Sequence, residues 1–533
     1  MCGYLIYKNP HGISKNEEIK IDLAEKRLVP RGPDDKKKIN YNHNTIFYFR
    51  RLSIIDLKSS ANQPFEIENY YILFNGEIYN HKQLKEEYLK DQNFKTNSDT
   101  EVILRLFIKY GYDAFKKLSG IYSITIFNKK TNEFILYRDP FGIKPLYLYL
   151  NERKLIVSSL SKIINDIIND ELDKKSIDIF NFFGNLLSKD TIYENIKAII
   201  PGVVYKIDSY LKLRTITLEN IYDQNFFYVS TNKEQVKESL YSAINENSVA
   251  DVDISALYSS GFDSNIIVEN LKNKNLLKLF TISTEINNKK QNEIEKSKQL
   301  NKFHQCEHIY YNFSIKELSK LYNEFLEAMD QPTIDGFNTF IVTKLIKSNN
   351  IKVALSGIGG DEYFGTYDTF KIIPILININ KFIRSKKLRN FLISILHKFS
   401  GIEKLNLIKY FEINHQNTFF IKRGISSDVE KYIKFNEALE QKNIYKEIED
   451  ILNLECSDRL KITLLELKFY CKDRLLRDVD WAGMSNSIEI RVPFLNKKFH
   501  QNICGYLQDK KNIITKNDMI KSLKLERKLK KIK

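Results

Sequence analysis

The order of apolar and polar positions divides the chain into two regimes. Up to about residue 195, short runs of aromatic and β-branched residues broken by turn signals, such as "IYSITIFNKKTNEFILYRD", predict β-strands. Helical stretches interrupt them, notably "HKQLKEEYLK" and "EVILRLFIKYGYDAF". From about residue 235, short apolar strands lead into helices, as in "ISALYSSGFDSNIIVENLK". Strands that alternate with helices predict a parallel sheet covered on both faces.

The segment "YKIDSYLKLRTITLENIYDQNFFYVST" lies between the two regimes, and we expect it to hold the connection. We therefore predict a first domain over residues 2–200, a connecting segment over 201–234 and a second domain over 235–533. The length of 533 residues is too great for one ordinary core, which agrees with this division.

Composition and charge narrow the class of protein. The chain is 43% hydrophobic and 28% charged, which is typical of a globular protein. A net charge of +16 suggests nucleic-acid binding, but the lysines are spread along the chain and no recognition motif accompanies them. The most apolar stretch, "FKIIPILININKFI", is too short and too polar to span a bilayer. We therefore expect neither a nucleic-acid nor a membrane partner.

The cysteines favour a reducing compartment. Cys2, Cys306, Cys456, Cys471 and Cys504 form no C-x-x-C pair and no metal-ligand spacing, and an odd number excludes complete disulfide pairing. The first residues lack the basic and apolar segments of a signal peptide. We therefore expect a cytoplasmic protein.

Cys2 directly follows the initiator methionine and precedes a glycine. A small residue at position two allows methionine removal, which would leave the Cys2 thiol and a free α-amino group on one residue. The pKa of a free thiol is about 8.5, so little thiolate exists at neutral pH. The pKa of the α-amino group is about 8, so this group can accept the thiol proton. Cys2 is therefore a candidate nucleophile that carries its own base.

Two motifs of the first half have structural interpretations when taken alone. Asn75-Gly76 is typical of a hairpin turn, and Ser98 with Glu101 is typical of a helix capping box. Together with Cys2 they belong to a series in fixed order: R-G-P-D at 31–34, R-L-S-I at 51–54, N-G-E at 75–77 and S-D-x-E at 98–101. This series resembles the class II glutamine amidotransferases. The resemblance implies an α+β N-terminal-nucleophile sandwich (αββα), with two sheets between helices.

The same resemblance assigns roles in glutamine hydrolysis. Cys2 would attack the side-chain amide of glutamine, and Asn75 with the Gly76 N–H would hold the resulting oxyanion. Each such donor contributes roughly 10²–10³ in rate. Arg51 would bind the glutamine carboxylate through a bidentate fork. Asp99 and Glu77 would bind its ammonium group.

The second half carries a candidate nucleotide site. "YSSGFDS" lacks the lysine of a P-loop but looks like the S-G-G-x-D-S loop of ATP pyrophosphatases, which cleave ATP between its α- and β-phosphates. "SGIGGDEYFGTY" resembles a second loop of the same family. The resemblance implies an α/β doubly wound parallel-sheet domain, with Mg²⁺ at Asp263 and Asp361. The ATP contacts that it implies are Leu257, Ser259, Ser260, Gly261, Asp263, Ser264, Ile282, Ser356 and Gly357.

A third motif, "CKDRLLRDVDWAGMSNSIEIRVPFLN", completes the resemblance. With both halves in this order, the chain resembles the glutamine-dependent asparagine synthetases over nearly its whole length. The family adenylates the aspartate side-chain carboxylate with ATP, releases pyrophosphate, and displaces AMP with ammonia from glutamine. We therefore expect small-molecule partners (glutamine, ATP and aspartate or another carboxylate) and leave a homodimer open.

The chain departs from the family pattern at Pro30, Arg50, Ser260, Ile358, Trp481 and Asn496. Ile358 removes an acidic residue that many synthetases have beside the acyl-adenylate. The chain also ends before the usual final segment of the family. Lys516 lies one residue out of register with the lysine that contacts pyrophosphate, so we do not assign it.

These departures leave two alternatives. Ile358, Trp481 and Asn496 are compatible with the same ligase chemistry on another carboxylate, such as a uronic acid of a surface polysaccharide precursor. Ser260 and the early chain end are compatible with a glutaminase attached to an inactive synthetase half. A sugar-phosphate aminotransferase is disfavoured because its partner module has no reason to contain S-x-G-x-D-S.

Overall fold

The computed structural model describes residues 2–227, 231–273, 277–285, 291–400, 403–520 and 523–532. Within these residues the strands form two six-stranded sheets and one five-stranded sheet. In chain order the strands are β1 (Cys2–Lys8), β2 (Asp35–Tyr41), β3 (Thr45–Arg51), β4 (Phe65–Ile67), β5 (Tyr70–Ile78), β6 (Gly120–Asn128), β7 (Glu133–Arg138), β8 (Tyr147–Leu150), β9 (Leu155–Ser158), β10 (Lys197–Ala198), β11 (Val203–Ile207), β12 (Leu213–Thr217), β13 (Ile254–Leu257), β14 (Leu277–Thr284), β15 (Glu307–Phe313), β16 (Val353–Leu355) and β17 (Glu489–Arg491).

The α-helices of the described residues are α1 (Lys15–Glu25), α2 (His81–Tyr88), α3 (Asp99–Tyr110), α4 (Asp113–Lys116), α5 (Ser161–Ile168), α6 (Lys174–Phe183), α7 (Lys233–Glu246), α8 (Phe262–Leu271), α9 (Gln291–His304), α10 (Ile315–Ala328), α11 (Phe337–Lys347), α12 (Gly360–Phe364), α13 (Thr369–Phe382), α14 (Lys386–Ser400), α15 (His415–Arg423), α16 (Val429–Gln441), α17 (Ile444–Leu452), α18 (Asp458–Leu465), α19 (Arg477–Met484), α20 (Lys497–Leu507) and α21 (Leu523–Ile532). A π-helix covers Glu466–Leu476. Short 3₁₀ helices cover Lys26–Arg31, Ser59–Ala61, Gln224–Phe226, Glu403–Lys409 and Lys516–Met519.

Strand β1 lies in the middle of the first antiparallel sheet, whose order is β10-β8-β9-β1-β3-β2. All its side chains are buried, because successive residues point to opposite, covered faces of the sheet. Tyr4 and Ile6 pack between the two six-stranded sheets. Leu5 and Tyr7 pack in the core that contains α1 and α5. A strand buried on both faces holds its first residue, Cys2, inside the molecule.

The second antiparallel sheet has the order β12-β11-β7-β6-β5-β4. One of its faces packs against the first sheet, with Leu73 and Phe127 in the shared core. Its other face packs against α3 and α4 through Val102, Phe107 and Phe115. The layers are therefore helix, sheet, sheet and helix, which confirms the predicted αββα sandwich.

The predicted connecting segment 201–234 needs correction in its first part. Val203–Ile207 pairs with β7, and Leu213–Thr217 then pairs with Val203–Ile207, so both strands extend the second sheet. The β-branched residues of "VVYKI" and "LRTIT" complete this sheet, and the strands of the first domain end at Thr217. Helix α7, with which the second domain opens, begins at Lys233.

The third sheet is parallel, with the order β15-β14-β13-β16-β17. Strand β13 leads into α8, and β16 leads into α12, as the alternating pattern predicts. Apolar side chains cover both faces of the sheet. The loops after β13 and β16 therefore meet at the carboxyl edge, where open α/β sheets bind ligands. The predicted parallel-sheet second domain is confirmed.

No helix of the described residues combines the length and the apolar character that a membrane span requires. Helix α13, which covers the most apolar stretch of the sequence, has 14 residues. Each of the five cysteines is free.

Candidate active sites

Cys2 lies at the interface of the two six-stranded sheets. Its backbone N–H donates to Oδ1 of Asn75 at 3.1 Å, which joins β1 of the first sheet to β5 of the second. Burial raises the pKa of the Cys2 thiol, whereas the backbone N–H of Leu52 and the charge of Arg51 lower it. Burial outweighs the donor and the cation, so the pKa of the thiol is raised overall, and the thiol needs a base to become the thiolate.

Asn75 and Gly76 lie inside strand β5 rather than in a hairpin turn. The Asn75 side chain is fully buried, and its Nδ2 atom has no hydrogen-bond partner among the described residues. Gly76 has φ +151°, and a Cβ there would collide with the backbone oxygen of Ile121. Only glycine therefore lets β5 lie this close to β6 at Gly76. An unpaired amide donor next to Cys2 suits a developing oxyanion.

Arg51 lies directly opposite Cys2 in the register of β1 and β3. Its guanidinium donates to the backbone oxygen of Lys58 at 2.7 Å and to Oδ1 of Asn62 at 2.9 Å. It also donates to the backbone oxygen of Asp56. The group predicted to bind a carboxylate therefore also orders the loop that follows β3.

Glu77 and Asp99 are both buried near Cys2. Burial, Glu489 and Asp99 raise the pKa of Glu77 well above its ordinary value. Burial also raises the pKa of Asp99, although the Ile78 backbone N–H donates to its carboxylate at 2.9 Å. Two carboxyls that are costly to ionise together suit a cationic ligand such as an ammonium group.

The predicted capping box at α3 is wrong in one half. Ser98 does cap the helix, because its side chain accepts from the Thr100 N–H at 3.2 Å. Glu101 instead accepts from the N–H of Thr96 at 2.8 Å and pairs with Arg105 at 2.7 Å. The glutamate therefore fixes the loop before α3, and the first residue of α3 contributes the Asp99 side chain to the site.

A buried ion pair joins this site to the second half of the chain. Arg31 donates from Nε to the Cys2 carbonyl at 3.3 Å and from Nη1 to Asp480 at 2.7 Å. Lys144 approaches the other oxygen of Asp480 at 3.4 Å. Sequence reasoning missed Asp480, because no spacing along the chain relates position 480 to position 31.

The second site is a cleft of about 900 Å³ at the carboxyl edge of the parallel sheet. This volume lies within the range of ligand pockets. Every position predicted to contact ATP or Mg²⁺ lines it, namely Leu257, Ser259, Ser260, Gly261, Asp263, Ser264, Ile282, Ser356, Gly357 and Asp361. The structure therefore brings together residues that lie up to about a hundred positions apart.

Lys516 bridges the two predicted metal ligands, because its ammonium pairs with both Asp263 and Asp361. Burial lowers the pKa of Lys516, but these two carboxylates outweigh it and raise the pKa overall. Glycines at 357 and 360 make room, since a Cβ at either position would overlap Asp263. The sequence left Lys516 unassigned because the register of the motif was off by one residue.

The chemistry of this pair of carboxylates fits Mg²⁺. Magnesium binds through one or two carboxylates and completes its shell with water and substrate phosphates. Among the described residues no group of three or more acidic, histidine or cysteine side chains could form a metal cage. Asp263 and Asp361 therefore suit a metal that arrives with a nucleotide.

Ser260 stands where the related loops have glycine, and Glu293 of α9 holds it. Its backbone N–H donates to Glu293 at 2.5 Å and its hydroxyl donates to the same carboxylate at 3.0 Å. The hydroxyl therefore has a structural partner, and the loop keeps its place between β13 and α8.

The remaining departures also have structural roles. Arg50 pairs with Glu25 at 2.5 Å, and the Pro30 carbonyl accepts from Ser487 at 2.7 Å. Asn496 caps α20 by accepting from two N–H groups, as an aspartate would. Ile358 lines the cleft, where it adds apolar surface in place of a charge.

Trp481 lies outside the cleft, in a core cluster with Phe325 and Phe340, whereas Glu362 lines the cleft. Trp481 is buried and donates from Nε1 to Asp478 at 3.2 Å. Glu362 lines the cleft and is itself buried. Burial and the nearby Glu466 and Asp361 raise its pKa to about 7. Sequence reasoning did not single out Glu362, since its titration depends on burial.

Comparison with known proteins finds a family match for each half of the chain. Residues 1–215 match the family model of the glutamine amidotransferase domain. Residues 235–514 match the family model of asparagine synthase. The first match extends past residue 200, as do the strands of the second sheet.

Several curated proteins are similar to this chain over most of its length. The chain is 30% identical over 531 residues to asparagine synthetase [glutamine-hydrolyzing] 1 of Bacillus subtilis (strain 168). The aligned region covers 93% of this chain and 80% of that protein. The chain is also 30% identical over 382 residues to putative asparagine synthetase [glutamine-hydrolyzing] 2 of Methanocaldococcus jannaschii, over 66% of this chain and 72% of the relative. Asparagine synthetase [glutamine-hydrolyzing] 2 of Bacillus subtilis is 27% identical over 505 residues, 89% of this chain and 62% of the relative. The chain therefore belongs to the family of glutamine-hydrolysing asparagine synthetases, as its motifs indicate.

Proposed function

We propose that this chain hydrolyses glutamine at Cys2 and uses the ammonia to convert aspartate into asparagine at the expense of ATP. The observation that carries the proposal is the presence of both sites in one chain. Asn75 contacts Cys2 at 3.1 Å in the first half, and Asp263 and Asp361 meet at one cleft in the second. The names of the relatives give asparagine as the product and glutamine as the compound hydrolysed.

Glutamine hydrolysis begins when the α-amino group of Cys2, freed by methionine removal, accepts the thiol proton. The contact between the Cys2 nitrogen and Asn75 supports this role, because it orients the nitrogen. The thiolate attacks the side-chain amide carbon, and the Asn75 Nδ2 and Gly76 N–H stabilise the oxyanion. The carbon–nitrogen bond then breaks, ammonia leaves with the proton, and water hydrolyses the thioester to glutamate.

Substrate glutamine carries a carboxylate and an ammonium group, so its site needs both a cationic and an anionic side chain. Arg51, opposite Cys2, would bind its carboxylate beside the loop that the guanidinium orders. The buried Glu77 and Asp99 would bind its ammonium group, which lowers the cost of ionising both carboxyls. Bound glutamine would therefore place its amide against the Cys2 thiol.

The synthetase half activates the acceptor. An oxygen of the aspartate side-chain carboxylate attacks the α-phosphorus of ATP, and the bond to the β-phosphate breaks, which releases pyrophosphate. Ammonia then attacks the acyl carbon, the bond to AMP breaks, and asparagine forms. Ser259, Gly261 and Ser264 would bind the phosphates at the start of α8, where backbone N–H groups favour anions.

Asp263 and Asp361 would hold Mg²⁺, which neutralises charge on the phosphates when it is bound. Lys516 lies between these carboxylates, and we infer that it binds pyrophosphate oxygens once the metal pairs with the carboxylates. A cytoplasmic location, the absence of a nucleic-acid partner and the oligomeric state stay predictions.

The decisive experiment uses the protein without an N-terminal tag, so that Cys2 can become the first residue. The mixture contains Mg-ATP and glutamine labelled with a nitrogen isotope in its amide, with and without aspartate. We expect pyrophosphate release only with aspartate, in equal amount to labelled asparagine. Glutamate without aspartate-dependent pyrophosphate would contradict the proposal and point to another acceptor or an inactive synthetase half.

Cys2→Ala separates the two sites. The variant should form no glutamate from glutamine, yet it should make asparagine from aspartate, Mg-ATP and ammonium at the wild-type rate. Asp263→Asn should show the opposite pattern, with glutamine hydrolysis retained. Loss of both activities in either variant would contradict the assignment of two separate sites.

A further inference from the structure

The helical hairpin formed by α13 and α14 has an unusual charge pattern. Between Asp368 and Glu403 the sequence contains no acidic residue. The same stretch contains seven basic residues: Lys371, Lys381, Arg384, Lys386, Lys387, Arg389 and Lys398. Five of the seven fall within residues 381–391, which are called the basic tip below and comprise the end of α13, the turn and the start of α14. The tip is therefore strongly cationic.

Large apolar side chains are exposed on the same tip. Phe382 is 76% exposed, Phe391 is 61% exposed and Leu388 is 49% exposed. Leu388 and Phe391 are three positions apart on α14 and so lie on one face of the helix. Ile375, on the preceding helix, is 44% exposed. Scattered single apolar residues are ordinary, but several at one tip mark an interaction surface.

The hairpin holds these residues in a defined arrangement. Arg389 donates to Asn380 at 2.9 Å across the two helices, and Asn380 donates to the Ile413 carbonyl at 2.9 Å. Ile373 and Leu376 of α13 are buried in the core of the second domain. Among the described residues, the basic side chains of the tip form no ion pair with a carboxylate. Their charge is therefore available to an outside partner.

We propose that the basic tip binds the anionic surface of a lipid bilayer. The lysines and arginines would pair with lipid phosphates, and Phe382, Leu388 and Phe391 would enter the boundary between headgroups and acyl chains. Basic and aromatic or aliphatic residues on one short helical surface are the pattern of interfacial membrane binding. This contact lies on the surface of the bilayer, and it departs from our expectation of no membrane partner.

Two other occupants fit the tip less well. A second copy of this chain would bring two tips of the same charge together, with no acidic residue between Asp368 and Glu403 to relieve the repulsion. A nucleic acid would satisfy the lysines, but it offers no hydrocarbon layer to Leu388 of the tip. An anionic bilayer satisfies both the charge and the apolar side chains.

Vesicle binding tests the proposal, and it requires no catalytic activity. The whole protein is mixed with vesicles of phosphatidylglycerol and phosphatidylcholine, or of phosphatidylcholine alone, and vesicle-bound protein is measured by flotation. We expect binding to the anionic vesicles only, and a loss of at least about tenfold in affinity between about 0.1 M and about 1 M salt. Absence of binding to the anionic vesicles would overturn the proposal.

Two double variants test the two contributions. Lys386→Glu with Lys387→Glu, and Phe382→Ser with Phe391→Ser, should each weaken binding by at least about tenfold. All four side chains are exposed, so folding should be unaffected. The matched control is Lys174→Glu with Lys175→Glu, an exposed lysine pair at the start of α6 with the same change in charge. Equal weakening by this control, or unchanged binding by the serine variant, would overturn the proposal.

Phe382→Trp reports where the side chain lies. The single native tryptophan, Trp481, is buried, so a change in emission on vesicle binding would come from position 382. We expect a blue shift and quenching by lipids brominated in their acyl chains. An unshifted emission would overturn insertion of the tip. Oligonucleotide binding or self-association that depends on the tip, without vesicle binding, would assign it to the other occupants.

Discussion

Arg31 and Asp480 form a buried ion pair across 449 positions of the chain, with 2.7 Å between Nη1 and Oδ2. Each side chain is 2% exposed. Burial raises the pKa of the Asp480 carboxyl, but Arg31 and Lys144 outweigh it and hold the pKa below its usual value. Because Arg31 also donates to the Cys2 carbonyl, the pair fixes the nucleophile against the synthetase half.

Asp480→Ala should lower the free energy of unfolding by about 3–5 kcal/mol, because it leaves the buried Arg31 guanidinium and Lys144 ammonium without their shared carboxylate. The measurement is the denaturant midpoint. The control is the double variant Arg31→Met with Asp480→Ala, which removes both charges and should be more stable than Asp480→Ala alone. Equal losses in the two proteins would show that the pair does not act as a unit.

Asn75→Asp should lower the rate of glutamine hydrolysis by about 10²–10³. The substitution keeps an oxygen that can accept from the Cys2 nitrogen but removes the amide donor proposed to hold the oxyanion. Asparagine formation from added ammonium should not change, since the cleft lies in the other half. A glutaminase rate within a few-fold of wild type would remove Asn75 from the oxyanion site.

Much of both sites could be predicted from the sequence, because each lies in a local motif. The S-S-G-F-D-S motif places Ser259 and Gly261 between β13 and α8 and Asp263 in the first turn of α8, so spacing alone relates them. The order of strand and helix then brings the loop after β16 to the same edge. Every residue predicted to contact ATP or Mg²⁺ accordingly lines the cleft.

The parts that the sequence could not predict depend on contacts between distant segments. Asn75-Gly76 has the composition of a turn but lies within a strand, because β6 covers it closely. Glu101 has the spacing of a capping residue, yet it binds the Thr96 N–H and Arg105. Asp480 is relevant to Cys2 only through Arg31. Local propensity could not resolve these cases, since tertiary packing decides them.

Gly76→Ala should abolish glutamine hydrolysis and destabilise the first domain, because φ is +151° and the new Cβ would collide with the Ile121 carbonyl. Gly111→Ala is the matched control. Gly111 also has positive φ, +58°, but has open space around its Cβ position. The control should cost about 1–3 kcal/mol, the penalty of a side chain in a sparsely populated backbone region. Glutaminase assays and denaturant midpoints of the two variants separate the collision from the backbone penalty.

Glu362 should make the stability of the protein depend on pH near neutrality. Its pKa rises from the ordinary 4.5 to about 7, chiefly through burial and then through Glu466 and Asp361. Between these values the folded protein binds more protons than the unfolded chain, so stability falls as pH rises through this window. The difference between the two pKa values corresponds to a change in the free energy of unfolding of at most about 3 kcal/mol. Above about pH 7 the stabilisation that comes from the protonated Glu362 is lost completely.

Glu362→Gln removes this titration and leaves a neutral side chain that can still accept from Tyr367, whose hydroxyl lies 3.1 Å from the carboxylate. The variant should therefore gain stability over wild type as pH rises from about 4.5 to about 7, while the two proteins respond alike to pH below that window. Denaturant midpoints measured for both proteins across the range give the comparison. A difference between the two proteins that is constant with pH would show that Glu362 titrates normally in the folded state.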